Sequence, residues 1–379
     1  MYTIQTRSDR FASVKKVKNP RSITKLYSQK NYYVKSTFTK YTNSFENHLI
    51  LTIMLNTIQT LHLDKVIQDH SQDMTGKVVA ITGTTTGTGF VCARELAKKG
   101  ATVLLLNRAS ERAETSLEQL QKEVSAGKFD SIVCDLQDFA SVRQAIQDIK
   151  AKYKVLDVLV NNAGVMGLKD TPTVDGYGVQ MQTNVISHFL LTKDLFPLLK
   201  KSKQARIVNH TSMARLGGPL ETQYFEARGG DLGGDGTDEQ NMSFRGPRWL
   251  RYHQTKLANA AFTYGLKKKL EAANINHILP LLAHPGLART NLQITTIKDG
   301  GMDGGSGFMN QAQSAEDGAT GIIRAAMDPT AQSGNFYGPT AGWTGFPDLL
   351  TPEELLYDDS NININWEGCE KAVGTFLIE

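Results

Sequence analysis

The chain has 379 residues, of which 40% are hydrophobic, and its formal net charge at neutral pH is +4. These values are typical of a soluble globular protein with a sizeable core, and the sequence shows no basic stripe of the kind that nucleic-acid binding requires. Cys92, Cys134 and Cys369 lie far apart and form no C-x-x-C pair. This spacing argues against a disulfide framework, a zinc site or an iron–sulfur site, and it fits a reducing compartment.

Residues 1 to 75 differ in composition from the rest and are predicted to form an N-terminal extension. Ten lysines and arginines between Arg7 and Lys40 are opposed before Glu46 only by Asp9. This composition is typical of an organelle-targeting presequence and favours a plastid or a mitochondrion; the alternative is a disordered basic extension or a misassigned start on a cytoplasmic protein. The apolar run at 49 to 58 is too short to span a bilayer and predicts a helix that packs on the domain or makes peripheral contact with a membrane.

From residue 76 to 379 the chain alternates between strand and helix patterns. GKVVAITG and ATVLLLNR are apolar runs typical of strands buried on both faces. Four further segments are predicted to be strands: FDSIVCDL, LDVLVNNAG, ARIVNHTS and INHILPLLAHPG. Helical spacing is present between them, in FVCARELAKKG, SERAETSLEQLQKEV, SVRQAIQDIKAKY, YGVQMQTNVISHFLLTKDLFPLLKK and QTKLANAAFTYGLKKKLEAA. The alternation predicts right-handed crossovers and one α/β domain, a Rossmann-type doubly wound parallel sheet with helices on both faces.

Two glycine-rich insertions interrupt this alternation, at residues 213 to 250 and 298 to 310. Long ordered loops in compact domains tend to be lids or binding loops, so both insertions are candidates for substrate contact. The C-terminal run contains Thr351, Pro352 and Glu354 in the pattern of a capping box with proline at the first helical position. It predicts a helix that packs against the domain, with a lid over the substrate as the alternative.

The first strand runs into TGTTTGTG, at residues 82 to 89. Gly83, Gly87 and Gly89, with Thr85 and Thr88 among them, therefore lie between a strand and a helix. Glycine at this point lets the chain turn tightly and lets a pyrophosphate approach backbone N–H groups at the helix N-terminus. The position favours a nucleotide site over a simple tight turn.

The end of the second strand bears on the choice between the two nicotinamide dinucleotides. An acidic residue there would accept hydrogen bonds from a ribose 2′-hydroxyl, whereas a cation can pair with a 2′-phosphate. The chain has Asn107 and Arg108 there and no carboxylate before Glu111. Arg108 thus favours NADP(H), the alternative being a solvated surface arginine.

Tyr252 and Lys256 lie four residues apart at the start of a helical segment. Side chains at this spacing share one face of a helix, and an ammonium beside a phenol can lower the pKa of the phenol. Taken alone, the pair also fits a solvated lysine one turn from a half-buried tyrosine.

In combination, these motifs resemble those of the short-chain dehydrogenase/reductases. The glycine turn, NNAG at 161 to 164, Asn184 in MQTNVISH, Ser212 in VNHTS, YHQTK and HPGLART occur in the order of that family, over residues 80 to 340. The sequences QTKLAN and SGNFYGP are most similar to the branch that includes retinol dehydrogenases and WW-domain oxidoreductases.

The resemblance implies a catalytic set of Asn184, Ser212, Tyr252 and Lys256. Tyr252 would give or take a proton, and Ser212 would hold the substrate oxygen. Lys256 would lower the pKa of Tyr252 and bind the nicotinamide ribose, and Asn184 would anchor a water molecule. It further implies cofactor contacts at Asp135, Leu136, Asn162, Ala163, Gly164, Pro285, Gly286 and Thr290. Asp135 could equally cap the helix that follows it.

The implied function is an NADP(H)-dependent oxidoreductase acting on a hydrophobic alcohol, aldehyde or ketone. The alternatives are an enzyme similar to light-dependent protochlorophyllide reductase, and a catalytically silent NADP-binding sensor or scaffold. The scattered histidines predict no catalytic metal, and family members are often homo-oligomers. Two departures from the family pattern are Thr88, before the last glycine of the turn, and the long stretch from Ser212 to Tyr252.

Overall fold

The computed structural model describes residues 3–5, 11–13, 58–234, 244, 246–303 and 307–379. The chain separates into two compact units, Met1–Asn56 and Thr57–Glu379. In the first unit, strands β1 (Thr3–Gln5) and β2 (Phe11–Ser13) form an antiparallel pair. The predicted presequence and the apolar run up to residue 57 lie largely outside the described residues, so these interpretations and the division at residue 75 stay predictions.

The second unit is built on one eight-stranded sheet in the order β10-β9-β8-β7-β6-β3-β4-β5. All neighbouring strands are parallel except β9 and β10, which are antiparallel. This confirms the predicted doubly wound parallel sheet. The strands are β3 (Val78–Thr82), β4 (Thr102–Asn107), β5 (Lys128–Val133), β6 (Val158–Asn161), β7 (Ala205–His210), β8 (Ile278–Ala283), β9 (Phe336–Pro339) and β10 (Pro347–Leu349).

Helices cover both faces of the sheet. Three consecutive segments form the long helix α5, and its middle segment, Gln182–Ile186, is a π-helical turn. Single 3₁₀ turns occur at Met213–Leu216, Thr222–Phe225 and Gly307–Gln311. The helices are α1 (Leu63–Asp69), α2 (Gly87–Lys98), α3 (Glu111–Glu123), α4 (Phe139–Lys152), α5 (Val179–Met181, Gln182–Ile186 and Ser187–Leu199), α6 (Pro247–Ala272), α7 (Asn291–Lys298), α8 (Ala315–Met327), α9 (Glu354–Tyr357) and α10 (Asp359–Val373).

The core consists of two apolar layers, one on each face of the sheet. Successive strand residues enter opposite layers: Ala80 packs on the face covered by α4, α5 and α6, whereas Val79 packs on the face covered by α2 and α8. Both residues are fully buried. The central strands are therefore apolar on both sides, which explains why they appear in the sequence as apolar runs, whereas the edge strands β5 and β10 have exposed residues.

The helix α1 is attached to the domain by a carboxylate at the start of α8. The backbone N–H groups of Leu61 and His62 each donate to Asp317 at 2.8 Å, and that of Leu63 donates at 3.3 Å. Asp317 is 2% exposed, so its negative charge is satisfied mainly by these donors and by the N-terminus of α8.

The C-terminal segment packs against the domain, as the sequence predicts, but its helices begin elsewhere. The predicted helix start at Thr351 is wrong: α9 begins at Glu354 without a side-chain cap, and α10 follows with Asp358 as its cap. The Trp366 ring lies 5.2 Å from that of Phe189 in the core. In the described part of the chain no helix is both long and apolar enough to cross a bilayer.

Candidate active site

The carboxyl ends of the central strands surround one cavity of about 1350 Å³. It lies where the strand order reverses, between β3 and β6, which is the usual position of a ligand site in a doubly wound sheet. Of the predicted site residues, all but Gly89 and Asn184 line this cavity. Folding thus brings together segments that are about 200 residues apart in the sequence.

The glycine turn between β3 and α2 forms one end of the cavity. Gly83 has φ +72° and Gly87 has φ +63°, a region of backbone conformation that favours glycine. Gly89 lies behind the turn, and a Cβ atom there would meet the Gly83 carbonyl oxygen at 2.2 Å. The turn therefore needs its glycines, and it leaves the N-terminus of α2 open to an anionic group such as a pyrophosphate.

The NNAG segment is tied to this turn by hydrogen bonds. The Thr82 hydroxyl accepts from the backbone N–H groups of Asn162 and Ala163, both at 3.0 Å. The Asn162 amide donates to the Thr82 and Gly83 carbonyls, and its oxygen accepts from the Thr88 hydroxyl at 3.0 Å. Thr88, one of the departures from the family pattern, thereby gains a hydrogen bond that an aliphatic residue could not make.

The ends of β4 and β5 form the other end of the cavity. Asn107 is buried and exchanges two hydrogen bonds with Thr84, while Arg108 is exposed at the cavity wall. Arg112, in the first turn of α3, lines the same region. The motifs alone do not identify Arg112 as a cavity residue. Its position one helical turn after Arg108 is nevertheless visible in the sequence.

Asp135 lines the cavity and does not cap the helix that follows. The cap of α4 is Asp138, whose carboxylate accepts from the Ala140 N–H at 2.8 Å. The Asp135 carboxylate accepts instead from the Gln137 N–H at 2.9 Å. The alternative interpretation of Asp135 as a helix cap is therefore wrong.

Ser212, Tyr252 and Lys256 meet on one wall of the cavity. Ser212 follows β7, and its side chain is hydrogen-bonded to Tyr252 of α6. The Lys256 ammonium lies 5.8 Å from the centre of the Tyr252 ring and donates to the His210 carbonyl at 2.9 Å. Tyr252 and Lys256 are 4% and 5% exposed, so the fold holds both groups against the cavity with little access for bulk water.

Burial determines the protonation of this pair. It raises the pKa of the Tyr252 phenol to about 12, against the lowering effect of the Ser212 hydrogen bond. Burial also lowers the pKa of the Lys256 ammonium to about 8. The prediction that Lys256 lowers the pKa of Tyr252 is thus not matched in this structure, because desolvation of the phenolate dominates.

Asn184 lies behind this wall, in the π-helical turn of α5, and is fully buried. Its side-chain oxygen accepts from the Val165 N–H at 2.8 Å, and its amide donates to the Val165 carbonyl at 2.9 Å and the Thr255 hydroxyl at 3.0 Å. The side chain therefore joins α5, α6 and the segment after NNAG. The side chain is thus fully occupied by protein partners, and the role of Asn184 as a water anchor stays a prediction.

The two glycine-rich insertions both reach the cavity. Phe244 of the first insertion and Met302 and Met309 of the second line it, together with Trp249 of α6. The Trp249 indole N–H donates to the Gly301 carbonyl at 3.0 Å and so connects α6 to the second insertion. This end of the cavity is mainly apolar and aromatic.

Among the described residues, no group of three or more His, Cys, Asp or Glu side chains could hold a metal ion.

Sequence and structure comparisons agree on the class of protein. The family model described as short chain dehydrogenase matches residues 77–227. A short-chain dehydrogenase/reductase of Armillaria gallica is 36% identical over 231 residues, which are 59% of this chain and 69% of that relative. Retinol dehydrogenase 12 of Bos taurus is 36% identical over 217 residues, which are 57% of this chain and 63% of the length of that relative.

A solved structure shows the same architecture over most of the chain. It is that of an uncharacterized protein of Mycobacterium paratuberculosis, with a TM-score of 0.64 and 28% identity, and it covers 84% of this chain and 100% of that one. A doubly wound sheet with a glycine turn at its switch point defines a dinucleotide-binding class of fold. The chain belongs to the short-chain dehydrogenase/reductase family and is similar to its retinol dehydrogenase branch.

Proposed function

We propose that the protein is an NADP(H)-dependent oxidoreductase that transfers a hydride between nicotinamide and a hydrophobic alcohol, aldehyde or ketone. The observation that carries the proposal is the joint placement of Ser212, Tyr252 and Lys256 in the cavity that begins at the glycine turn. The phenol proposed to transfer the proton and the helix N-terminus proposed to bind the pyrophosphate thus share one cavity.

The residues fit a dinucleotide. Gly83 and Gly87 leave the N-terminus of α2 accessible to a pyrophosphate, and a cavity of about 1350 Å³ exceeds what the substrate alone would need. Asp135 and Leu136 would flank the adenine, and Pro285, Gly286 and Thr290 would hold the nicotinamide end. The segment Asn162, Ala163 and Gly164 would line the middle.

Arg108 and Arg112 support the choice of NADP(H). Both guanidinium groups are exposed at the end of the cavity next to β4, where the ribose of the adenosine half would lie. Two cations there can pair with a 2′-phosphate, and because residue 107 is an asparagine, no carboxylate at that position would repel the phosphate.

Arg112→Ala and Arg108→Ala should each weaken NADPH binding by roughly tenfold or more and leave NADH binding nearly unchanged. Arg143→Ala, an exposed arginine of α4 outside the cavity, is the matched control.

When bound, the cofactor would supply or accept the hydride, and the protein's own residues would handle the proton. In the direction of reduction, Ser212 would donate a hydrogen bond to the substrate oxygen. Tyr252, protonated at neutral pH because its pKa is about 12, would give that oxygen its proton as negative charge develops. Lys256, held by the His210 carbonyl, would provide positive charge beside the resulting phenolate.

The apolar end of the cavity supports a hydrophobic substrate. Phe244, Trp249, Met302 and Met309 offer aromatic and thioether surfaces and few hydrogen-bond donors for a polar chain. A substrate with one polar reacting group and an extended apolar body would match this lining.

The proposal is tested by NADPH oxidation with a panel of apolar aldehydes and ketones. Tyr252→Phe should lower kcat/KM by about 100-fold or more while the dissociation constant for NADPH stays within about threefold. Tyr264→Phe, a tyrosine of the same helix that lies in the core, is the control and should retain activity. NADPH binding without turnover on any carbonyl would favour a sensor, and equal activity of Tyr252→Phe would refute the proposed chemistry.

Location and assembly are further proposals. The basic N-terminal composition supports import into a plastid or a mitochondrion, and sequencing the N-terminus of the mature protein would test this. The family resemblance supports a homo-oligomer, which sedimentation of the purified protein would test. The apolar run at 49 to 58 supports peripheral membrane contact, which a vesicle flotation assay would test.

A further inference from the structure

Arg215 is a buried arginine three residues after Ser212, and the proposed mechanism gives it no role. It lies in the 3₁₀ turn Met213–Leu216, at the start of the first insertion, and it is 3% exposed. It is not one of the residues that line the cavity. A charged side chain is enclosed to this extent only where hydrogen bonds and an opposite charge compensate for the lost water, so its partners indicate its role.

The guanidinium group of Arg215 joins three segments of the chain. Nε donates to one carboxylate oxygen of Glu353 at 3.1 Å and Nη2 donates to the other, which makes the pair bidentate. The group lies over the Phe336 ring of β9, with 4.9 Å between Cζ and the ring centre. Nη1 donates to the backbone carbonyl of Ser212 at 3.1 Å, with the weaker acceptor Met213 Sδ at 3.6 Å. Since a bidentate pair fixes the orientation of a guanidinium, the direction of the bond to Ser212 is fixed too.

The turn that begins at Ser212 determines the direction of its hydroxyl group. The Ser212 carbonyl also accepts from the backbone N–H of Arg215 at 3.1 Å, and the Ser212 hydroxyl oxygen accepts from the N–H of Ala214 at 3.2 Å. A serine hydroxyl has a single hydrogen. Because the oxygen is held by Ala214, that hydrogen is left to point into the cavity, toward Tyr252 in this structure and toward a substrate oxygen in the proposed reaction.

The bond from Arg215 secures the downstream side of Ser212. On the upstream side, Thr211 donates its N–H to a carbonyl of β8 at 2.8 Å and its hydroxyl to the Lys256 carbonyl at 2.6 Å. Downstream, the turn is followed by two glycines, at 217 and 218, and glycine restricts the backbone least. Arg215 therefore ties the turn to β9 and to the segment before α9, where the chain that follows gives it little support.

We propose that Arg215 is a positioning residue for Ser212. By binding the Ser212 carbonyl while Glu353 holds its guanidinium, it sets the direction in which the hydroxyl meets the substrate oxygen. This inference rests on the proposed function. Arg215 acts through Ser212, so its effect belongs to the chemical step and not to the binding of NADPH. Glu353, which lies outside the cavity, contributes through the same contact.

The test is a double-mutant cycle between Arg215→Met and Ser212→Ala. Methionine keeps an apolar contact with Phe336 but makes no bond to the Ser212 carbonyl. NADPH oxidation is measured in single turnovers with the straight-chain aldehydes from hexanal to decanal. A small misplacement of a reacting group costs up to about 100-fold in rate, so Arg215→Met should lower the rate constant about tenfold when Ser212 is present. In the Ser212→Ala protein the same substitution should change it less than about twofold, because no hydroxyl is left to misdirect.

Glu353→Gln is a second, milder way to weaken the same contact. Glutamine has the shape of glutamate but not its charge, and the Glu353 side chain is 36% exposed, so this variant should fold even if Arg215→Met does not. Its rate constant should fall about threefold, again only when Ser212 is present. Arg228→Met is the matched control and should retain the wild-type rate. Arg228 belongs to the same insertion, but its side chain is 42% exposed and its pair with Glu226 spans 4.0 Å.

The outcomes separate the inference from the proposed function. A loss of rate that depends on Ser212, with a dissociation constant for NADPH within about threefold of the wild type, supports the assignment. An equal loss in the Ser212 and Ser212→Ala proteins would show that Arg215 only stabilises the fold, and an unchanged rate in the folded variants would show that it has no part in the reaction. Either result overturns the inference and leaves the proposed function standing. A wild-type protein that reduces no carbonyl refutes the proposed function and the inference with it.

Discussion

Acidification should destabilise the protein through His188, a buried imidazole one turn after Asn184 in α5. Its Nδ1 is 3.0 Å from the Asn184 carbonyl and its Nε2 is 2.9 Å from the Thr82 hydroxyl. A carbonyl only accepts, so Nδ1 must carry the hydrogen and Nε2 must accept from Thr82. Protonation of Nε2 would remove that hydrogen bond, which links α5 to Thr82 at the end of β3.

The size of the effect follows from the pKa of His188, which burial lowers from 6.5 to about 4. Since the unfolded chain takes up the proton first, the contribution of His188 to stability is complete above about pH 6.5 and falls as the pH decreases, until it levels off below about pH 4. Between pH 7 and pH 5 the loss from this one residue is about 2 kcal/mol, and below pH 4 it approaches about 3 kcal/mol.

Urea unfolding followed by circular dichroism, at pH 7 and at pH 5, measures this loss for the wild type and for His188→Gln. Burial also lowers the pKa values of His210 and His284, so both proteins should lose stability on acidification. The loss should be about 2 kcal/mol smaller in His188→Gln, because glutamine does not titrate. Parallel losses in the two proteins would show that His188 is not held neutral and would refute the reasoning.

Three further substitutions test particular contacts. Gly89→Ala would place a methyl group 2.2 Å from the Gly83 carbonyl, so we expect a loss of about 1–3 kcal/mol in unfolding free energy and a weaker NADPH complex, and unchanged values would contradict the role of this glycine. Asp317→Ala removes the acceptor of three backbone N–H groups, and we expect α1 to become sensitive to limited proteolysis while the domain stays folded, with Glu316→Ala as the control. Thr255→Val removes the hydroxyl that binds the Asn184 amide; kcat should fall more than the affinity for NADPH, and a purely affinity-based effect would argue against a positioning role.

The sheet could be predicted from the sequence because its strands are buried on both faces. The runs that become β3, β4, β6 and β8 are continuously or almost continuously apolar, and each is followed by a helical pattern or a turn. The strand β9 was not predicted, since only four residues, two of them Gly and Pro, remain to carry a pattern. The π-helical turn of α5, which contains Asn184, is not marked by any periodic pattern in the sequence.

The residues of the candidate site could be named from motifs, but their electrostatics could not. The sequence shows that Tyr252 and Lys256 share a helix face, from which a lowered phenol pKa was predicted. The sign is the opposite in the structure because the phenol is enclosed, and enclosure is a property of the packed fold.

The Thr82 hydroxyl connects three segments beside the cavity. It accepts from the N–H groups of Asn162 and Ala163, so its own hydrogen is left for one acceptor, and His188 at 2.9 Å is better placed than the Val160 carbonyl at 3.4 Å. The glycine turn, the NNAG segment and α5 are therefore joined through neutral groups, whose hydrogen bonds are directional and do not attract counterions. In the proposed mechanism, Lys256 would then be the local positive charge at the wall formed by Ser212, Tyr252 and Lys256, and the groups that position this wall would not cancel the charge that stabilises the phenolate.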